Sequence, residues 1–101
     1  MTSKEPADKM TDLLSQSFTP SPDAVENRVG TETVILHLGN SSFYGLDPVG
    51  TIIWEMLKSG SPVPDIRDAL VARFSVEPAR IEDDMRTFLA DLLAQDIVVA
   101  A

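Results

Sequence analysis

Few side chains in this sequence could do covalent chemistry. His37 is the single histidine. As a general base it would need a nucleophile and an orienting carboxylate converging on it, and no spacing in the chain nominates either. It falls in the middle of an alternating segment, where an exposed or partly exposed strand histidine is the expectation. The chain has no cysteine, which removes thiolate nucleophiles, disulfides and thiolate metal sites together. Asp83, Asp84 and Asp91 are the carboxylates that could suggest a metal cluster. Asp84 and Asp91 stand seven residues apart and share a helix face. Hard cations favour carboxylate oxygen, but a solvated acidic face is much the commoner cause of such a pattern. Neither a GxGxxG nor a GxxxxGKS/T phosphate loop occurs. The expectation is therefore a protein that is not an enzyme and carries no cofactor and no metal. Recognition remains, and the residues for it are Phe43, Tyr44, the single Trp54, and the adaptable Met56 and Met85. For Trp54 the simplest reading is a half-buried core residue. For the two methionines it is core packing.

The bulk numbers narrow the partner. Eight basic residues face sixteen acidic ones, a net charge of −8. A nucleic-acid binder presents a basic face, and no run of Lys or Arg exists here. A neutral or basic partner suits this balance better, as does solubility alone. At 101 residues the chain suits one domain. Small secreted domains are commonly stapled by disulfides, so the missing cysteines point to the cytoplasm. No apolar run approaches the roughly 18 residues of a membrane span, and residues 1–10 lack the apolar stretch of a signal peptide.

Elements must hold the recognition residues in place. Residues 1–22 read as an N-terminal tail, flexible or in a short amphipathic helix, with Met10, Leu13, Leu14 and Phe18 at helical spacing. Residues 23–101 read as the domain. Three strands come first: Ala24 to Val29, Glu32 to Leu38 and Ser41 to Leu46. Their links are Gly30-Thr31 and Gly39-Asn40, the latter a pair favoured where φ must turn positive. Val34, Leu36 and Leu38 share one strand face, and Thr33, Ile35 and His37 the other. Only one of Phe43 and Tyr44 can face inward. Three helices follow. The first is capped by Asp47-Pro48 and stopped by Gly60, with Val49, Ile52, Ile53, Met56 and Leu57 as its stripe. The second spans about Val63 to Phe74, with Ile66, Ala69, Leu70 and Phe74 inward. The third runs from Pro78 to about Gln95, with Ile81, Met85, Phe88, Leu89, Leu92 and Leu93 inward. Asp96 to Val99 is a short extended end. Strands and helices are segregated, so the class is α+β: a three-stranded antiparallel sheet followed by three helices that cover one of its faces.

The ordered set from Val34 through Phe43-Tyr44-Gly45-Leu46, then Asp47, Gly50 and Ile53-Trp54, resembles the PqqD-like family of leader-peptide recognition elements. Arg73-Phe74, Val76-Glu77-Pro78 and Phe88-Leu89 extend the match to about residues 23–99. Pro62-Val63-Pro64 departs from the Ser or Thr cap usual before the second helix, which bears on where that helix starts. The resemblance implies a winged-helix-turn-helix-like fold that does no catalysis. It implies capture of the leader of a ribosomally made precursor peptide, as a strand added to the third strand beside the third helix. By position the edge would be Ser41, Ser42, Phe43 and Tyr44, and the wall Asp84, Met85, Phe88, Leu89 and Leu92. The implied partners are the precursor leader and a modifying enzyme or leader protease, with no nucleic acid and no membrane. A homodimer through the tail stripe is a further option. Two other functions fit the pattern of elements: a winged-helix DNA-binding regulator, disfavoured by the charge, and a general protein-interaction adaptor.

Overall fold

The computed structural model describes residues 13–101. Met10 of the tail stripe lies outside them. The described chain opens with a 3-10 turn, Leu13–Ser15, and a short strand β1 (Phe18–Pro20). Then come β2 (Ala24–Val29), β3 (Glu32–His37), β4 (Ser42–Leu46), α1 (Pro48–Lys58), α2 (Val63–Phe74), α3 (Pro78–Ala94) and β5 (Val98–Ala100). The sequence fixes the fold class correctly: an antiparallel meander in the order β2-β3-β4, followed by three helices.

A second, two-stranded sheet revises the reading of the tail. β1 pairs antiparallel with β5, Phe18 opposite Ala100 and Pro20 opposite Val98. Ser21 N–H to Ile97 C=O and Ala101 N–H to Ser17 C=O extend the ribbon at both ends. Phe18 is buried in the core, and Leu13 and Leu14 pack against it. Residues 13–22 thus pack on the domain as a 3-10 turn and a strand and not as an amphipathic α-helix. The reason is a partner distant in sequence: the extended C-terminal end supplies the hydrogen bonds that helical spacing alone would assign to a helix.

The helix ends obey local rules. The Asp47 carboxylate accepts from the Gly50 N–H at 2.7 Å. Gly60, at φ +83°, ends α1: its N–H reaches Leu57 C=O, and Ser61 N–H reaches Met56 C=O. That pair of bonds is a Schellman closure, which needs the left-handed residue. α2 begins at Val63 after Pro62, with no side-chain cap. α3 buries Ile81, Met85, Leu89 and Leu92, a run at helical spacing along one face.

Which strand face turns inward differs from a simple hydropathy reading. Thr33, Ile35 and His37 are buried, whereas Val34, Leu38 and Phe43 are exposed. His37 is therefore a core residue and not an exposed one. Its Nδ1 accepts from the Gly39 and Asn40 N–H groups and so shapes the turn into β4. Gly39 is needed here for room: a Cβ would lie 2.9 Å from the His37 ring. The positive φ of this turn belongs to Ser41, at 58°. Buried Thr33 and Thr51 satisfy each other through their hydroxyls at 3.1 Å. Val49 and Phe74, assigned inward by spacing, are exposed, and the inner face of α1 is instead Gly50, Thr51, Ile53, Trp54 and Leu57.

Trp54 is fully buried and not half-buried. Its indole N–H donates to the Glu26 carboxylate at 2.7 Å, and Lys58 donates to the same group. This tie fastens β2 to α1. The hydrogen bond from Lys58 holds the Glu26 carboxyl below its ordinary value, and that from Trp54 adds to it against the opposing effect of burial. A depressed carboxyl contributes stability above its unfolded value, which is lost as pH falls through the folded one. Glu26→Ala leaves the Trp54 N–H unpaired in the core and is expected to cost about 1–3 kcal/mol. Glu26→Gln, which keeps an acceptor, is expected to cost less. Denaturant titrations read by the fluorescence of the single tryptophan measure both.

Candidate functional site

β4 is one of the two outer strands of the meander, the other being β2, and among the described residues its one strand partner is β3. Tyr44 lies opposite Ile35 and Gly45 opposite Val34. β1 does not cover this edge, because it pairs with β5. A strand with one neighbour turns half of its backbone donors and acceptors away from the sheet.

α3 stands beside that edge. The Tyr44 and Phe88 ring centroids are 6.3 Å apart at 54°, a tilted aromatic contact. The Tyr44 hydroxyl donates to the Asp91 carboxylate at 3.2 Å. Next to Phe88, a pocket of about 260 Å³ opens between α1 and α3. Val49, Gly50 and Ile53 line it from α1, and Ile81, Met85 and Phe88 from α3; Leu70 adds a further apolar surface. Asp47 and Asp84 are its carboxylates. Gly50 brings the two helices together: a Cβ there would lie 3.2 Å from both the Asp47 carboxylate and the Phe88 ring. The result is an apolar pocket with acidic side chains, next to a strand edge. Among the described residues no group of three or more His, Asp or Glu converges as a metal site would require.

The expected site residues fall into distinct places. Tyr44 is half-buried and turned toward α3, while Phe43 projects from the opposite face at 72% exposure. Ser42 starts the strand, and its N–H and hydroxyl both donate to the Asn40 side chain. Ser41 belongs to the turn, since its positive φ takes it out of the strand. Asp84 is exposed, Phe88 half-buried, and Met85 almost wholly buried at the pocket. Leu89 and Leu92 have no exposed surface. They cannot form the open part of a wall: helical spacing turns them to the core, where they fix α3 in position. Spacing missed Asp47, Val49 and Gly50 as pocket residues. The signal was present in Gly50, since a glycine within a helix costs about 1 kcal/mol relative to alanine and calls for a packing reason.

The electrostatics can be measured at one group. Burial pushes the Tyr44 phenol above its ordinary value, and the nearby charges of Asp91 and then Asp47 push it further. The protein has a single tyrosine, so absorbance titration reads it alone. Its midpoint is expected above 10, the usual tyrosine value, and Asp91→Asn is expected to lower it. Because the folded value is raised, this contribution to stability is complete below the unfolded value and is lost as pH climbs through the folded one.

A larger groove, about 550 Å³, lies between α1 and α2 and is lined by Ile52, Met56, Ala69 and Ala72 with Arg28 and Arg73. It shares no residue with β4 or α3, so size alone does not locate the site. No helix among the described residues is long and apolar enough to cross a membrane.

Comparison with known proteins bears on this arrangement. No curated protein matches the chain. A solved structure described as "TbiB1 in Complex with the TbiA(beta) Leader Peptide" superposes with a TM-score of 0.76 at 35% identity, covering 79% of this chain and 93% of the other. Another, "Lasso peptide synthetase B1 complexed with the leader peptide", superposes at 0.75 with 18% identity, covering 82% and 98%. At that identity the second likeness speaks for the fold. The family described as "Coenzyme PQQ synthesis protein D (PqqD)" matches residues 32–98, which hold β3, β4, all three helices and the start of β5, and this chain belongs to that family.

Proposed function

We propose that this chain is a non-catalytic recognition module that binds the leader segment of a precursor peptide and presents it to a modifying enzyme or leader protease. The leader adds as a strand to β4. Its inward side chains turn toward α3 beside Tyr44 and Phe88 and reach the pocket that Asp84, Met85 and Phe88 line, and its backbone pairs with the strand edge. Ser42, Phe43 and Tyr44 supply that edge, and Ser41 sets the turn that leads into it. Leu89 and Leu92 hold the wall from behind.

The observation that carries the reading is an outer strand that has, among the described residues, no partner on its far side, next to an apolar pocket. Strand addition uses such an edge: main-chain bonds supply generic affinity, and pockets read alternate side chains. The 35% identical neighbour, solved with a leader peptide, supports the same reading. Acidic Asp47, Asp84 and Asp91 favour a ligand with basic residues, with an on-rate that falls as salt rises. The net charge of −8 speaks against the DNA-binding alternative.

The test is a titration of isotopically labelled protein with two probes: the TbiA(beta) leader peptide, and peptides enriched on this protein from a random linear display library. Shifts concentrated on β4 and the exposed side of α3 are the expected result. Failure of every such peptide to move the β4 amides would overturn the proposal.

A further inference from the structure

Gly45 sits inside the edge strand without any reason that the described residues supply. Its φ is not positive, so the backbone does not demand glycine. A Cβ built on it meets no atom of the described residues within 4 Å, so their packing does not demand glycine either. Glycine within a strand gives up packing and order, and one frequent cause is the close approach of a ligand or another backbone.

The surroundings fit a ligand. Gly45 projects to the outer face of the sheet, on the same side as Phe43, which is 72% exposed. Behind it in register stands Val34, itself 37% exposed, and Leu36 backs Phe43. The outer face therefore carries a notch over bare backbone, with an aromatic side chain on one side and an aliphatic one behind. On a strand added to β4, the residues opposite Phe43 and Gly45 are two apart and both face outward; the residue between them turns inward with Tyr44. Directly opposed side chains on neighbouring strands are close enough to pack, and diagonal ones remain within reach when large. A large side chain across from a glycine recovers the contact that the glycine lacks.

We infer that Gly45 is a specificity-determining position: the bound strand places a large apolar side chain over it, on the outer face of the sheet, against Phe43 and Val34. This rests on strand addition at β4 and adds a second reading surface, distinct from the pocket beside α3.

The experiment uses the full chain and peptides enriched on it from the random display library. Gly45→Thr is expected to leave the thermal midpoint unchanged or raised, since the site is open and threonine suits a strand. Its affinity for enriched peptides is expected to fall at least about tenfold. Trimming the outward peptide residue opposite Gly45 to alanine is expected to weaken binding to the wild type but hardly to Gly45→Thr, so that the two changes are coupled. Gly45→Ala serves as the milder variant should threonine perturb the fold. Undiminished binding by Gly45→Thr, or purely additive effects in the cycle, overturns the inference while leaving strand addition intact. If no peptide engages the β4 edge at all, strand addition and this inference fall together.

Discussion

Leu89→Ala is expected to lower the free energy of unfolding by about 2–5 kcal/mol. Leu89 has no exposed surface and lies in the contiguous core that joins α3 to the other helices, Ile35 of the sheet and Phe18 of the ribbon. Removing its branched end withdraws apolar atoms from that core and leaves a cavity its neighbours fill only in part. A domain of this size has about 5–15 kcal/mol in total. The loss therefore claims a large share, and the melting midpoint is expected to drop by about 4–8 °C for each kcal/mol. Calorimetry checks the midpoint, and urea titration checks the free energy with an unchanged slope. Peptide affinity, measured well below the new midpoint, is expected to change little, because Leu89 offers no atom to a ligand. A large affinity loss in a sample shown to be folded would return Leu89 to the binding surface.

Phe88→Ala is expected to give the opposite pattern. Phe88 is half-buried, stacks at a tilt against Tyr44, and lies over Gly50. It is the one aromatic side chain of α3 between the strand edge and the pocket. Aromatic anchors at the centre of an interface cost about 2 kcal/mol or more when truncated, roughly a thirtyfold weaker complex. The stability cost is expected to be smaller, about 1–2 kcal/mol, since part of the ring already faces solvent. Isothermal titration with an enriched peptide and thermal melts of the same preparations separate the two effects. Binding within a factor of two of the wild type would remove Phe88 from the wall. Comparing the Leu89 and Phe88 variants thus tells which side of α3 supports and which side receives.

The local devices were legible in the sequence because their causes are local. Asp47-Pro48 and Gly60 mark the limits of α1 through capping and left-handed closure, which depend on a few neighbouring residues. The stripe of Ile81, Met85, Leu89 and Leu92 follows from helical period alone. The meander and its three helices follow from alternation giving way to that period, and the α+β class follows from their order.

Other features depended on which surfaces finally meet. Alternation in β3 divides Thr33, Ile35 and His37 from Val34 and Leu36, but cannot say which set turns inward. The helices decided it, because Thr51 offers Thr33 a hydroxyl, while the turn gives His37 two N–H donors. For the same reason the more hydrophobic set was left facing out. The pairing of Phe18–Pro20 with Val98–Ala100 joins the two ends of the described chain, a contact that no window of sequence can contain. That pairing keeps the N-terminal strand away from β4. The sequence by itself determined the meander, the three helices and their approximate limits; the tertiary structure alone decided that the N-terminal strand pairs with the C-terminal one and that, among the described residues, β4 has a strand neighbour on one side only, since pairing is defined by which segments meet in space.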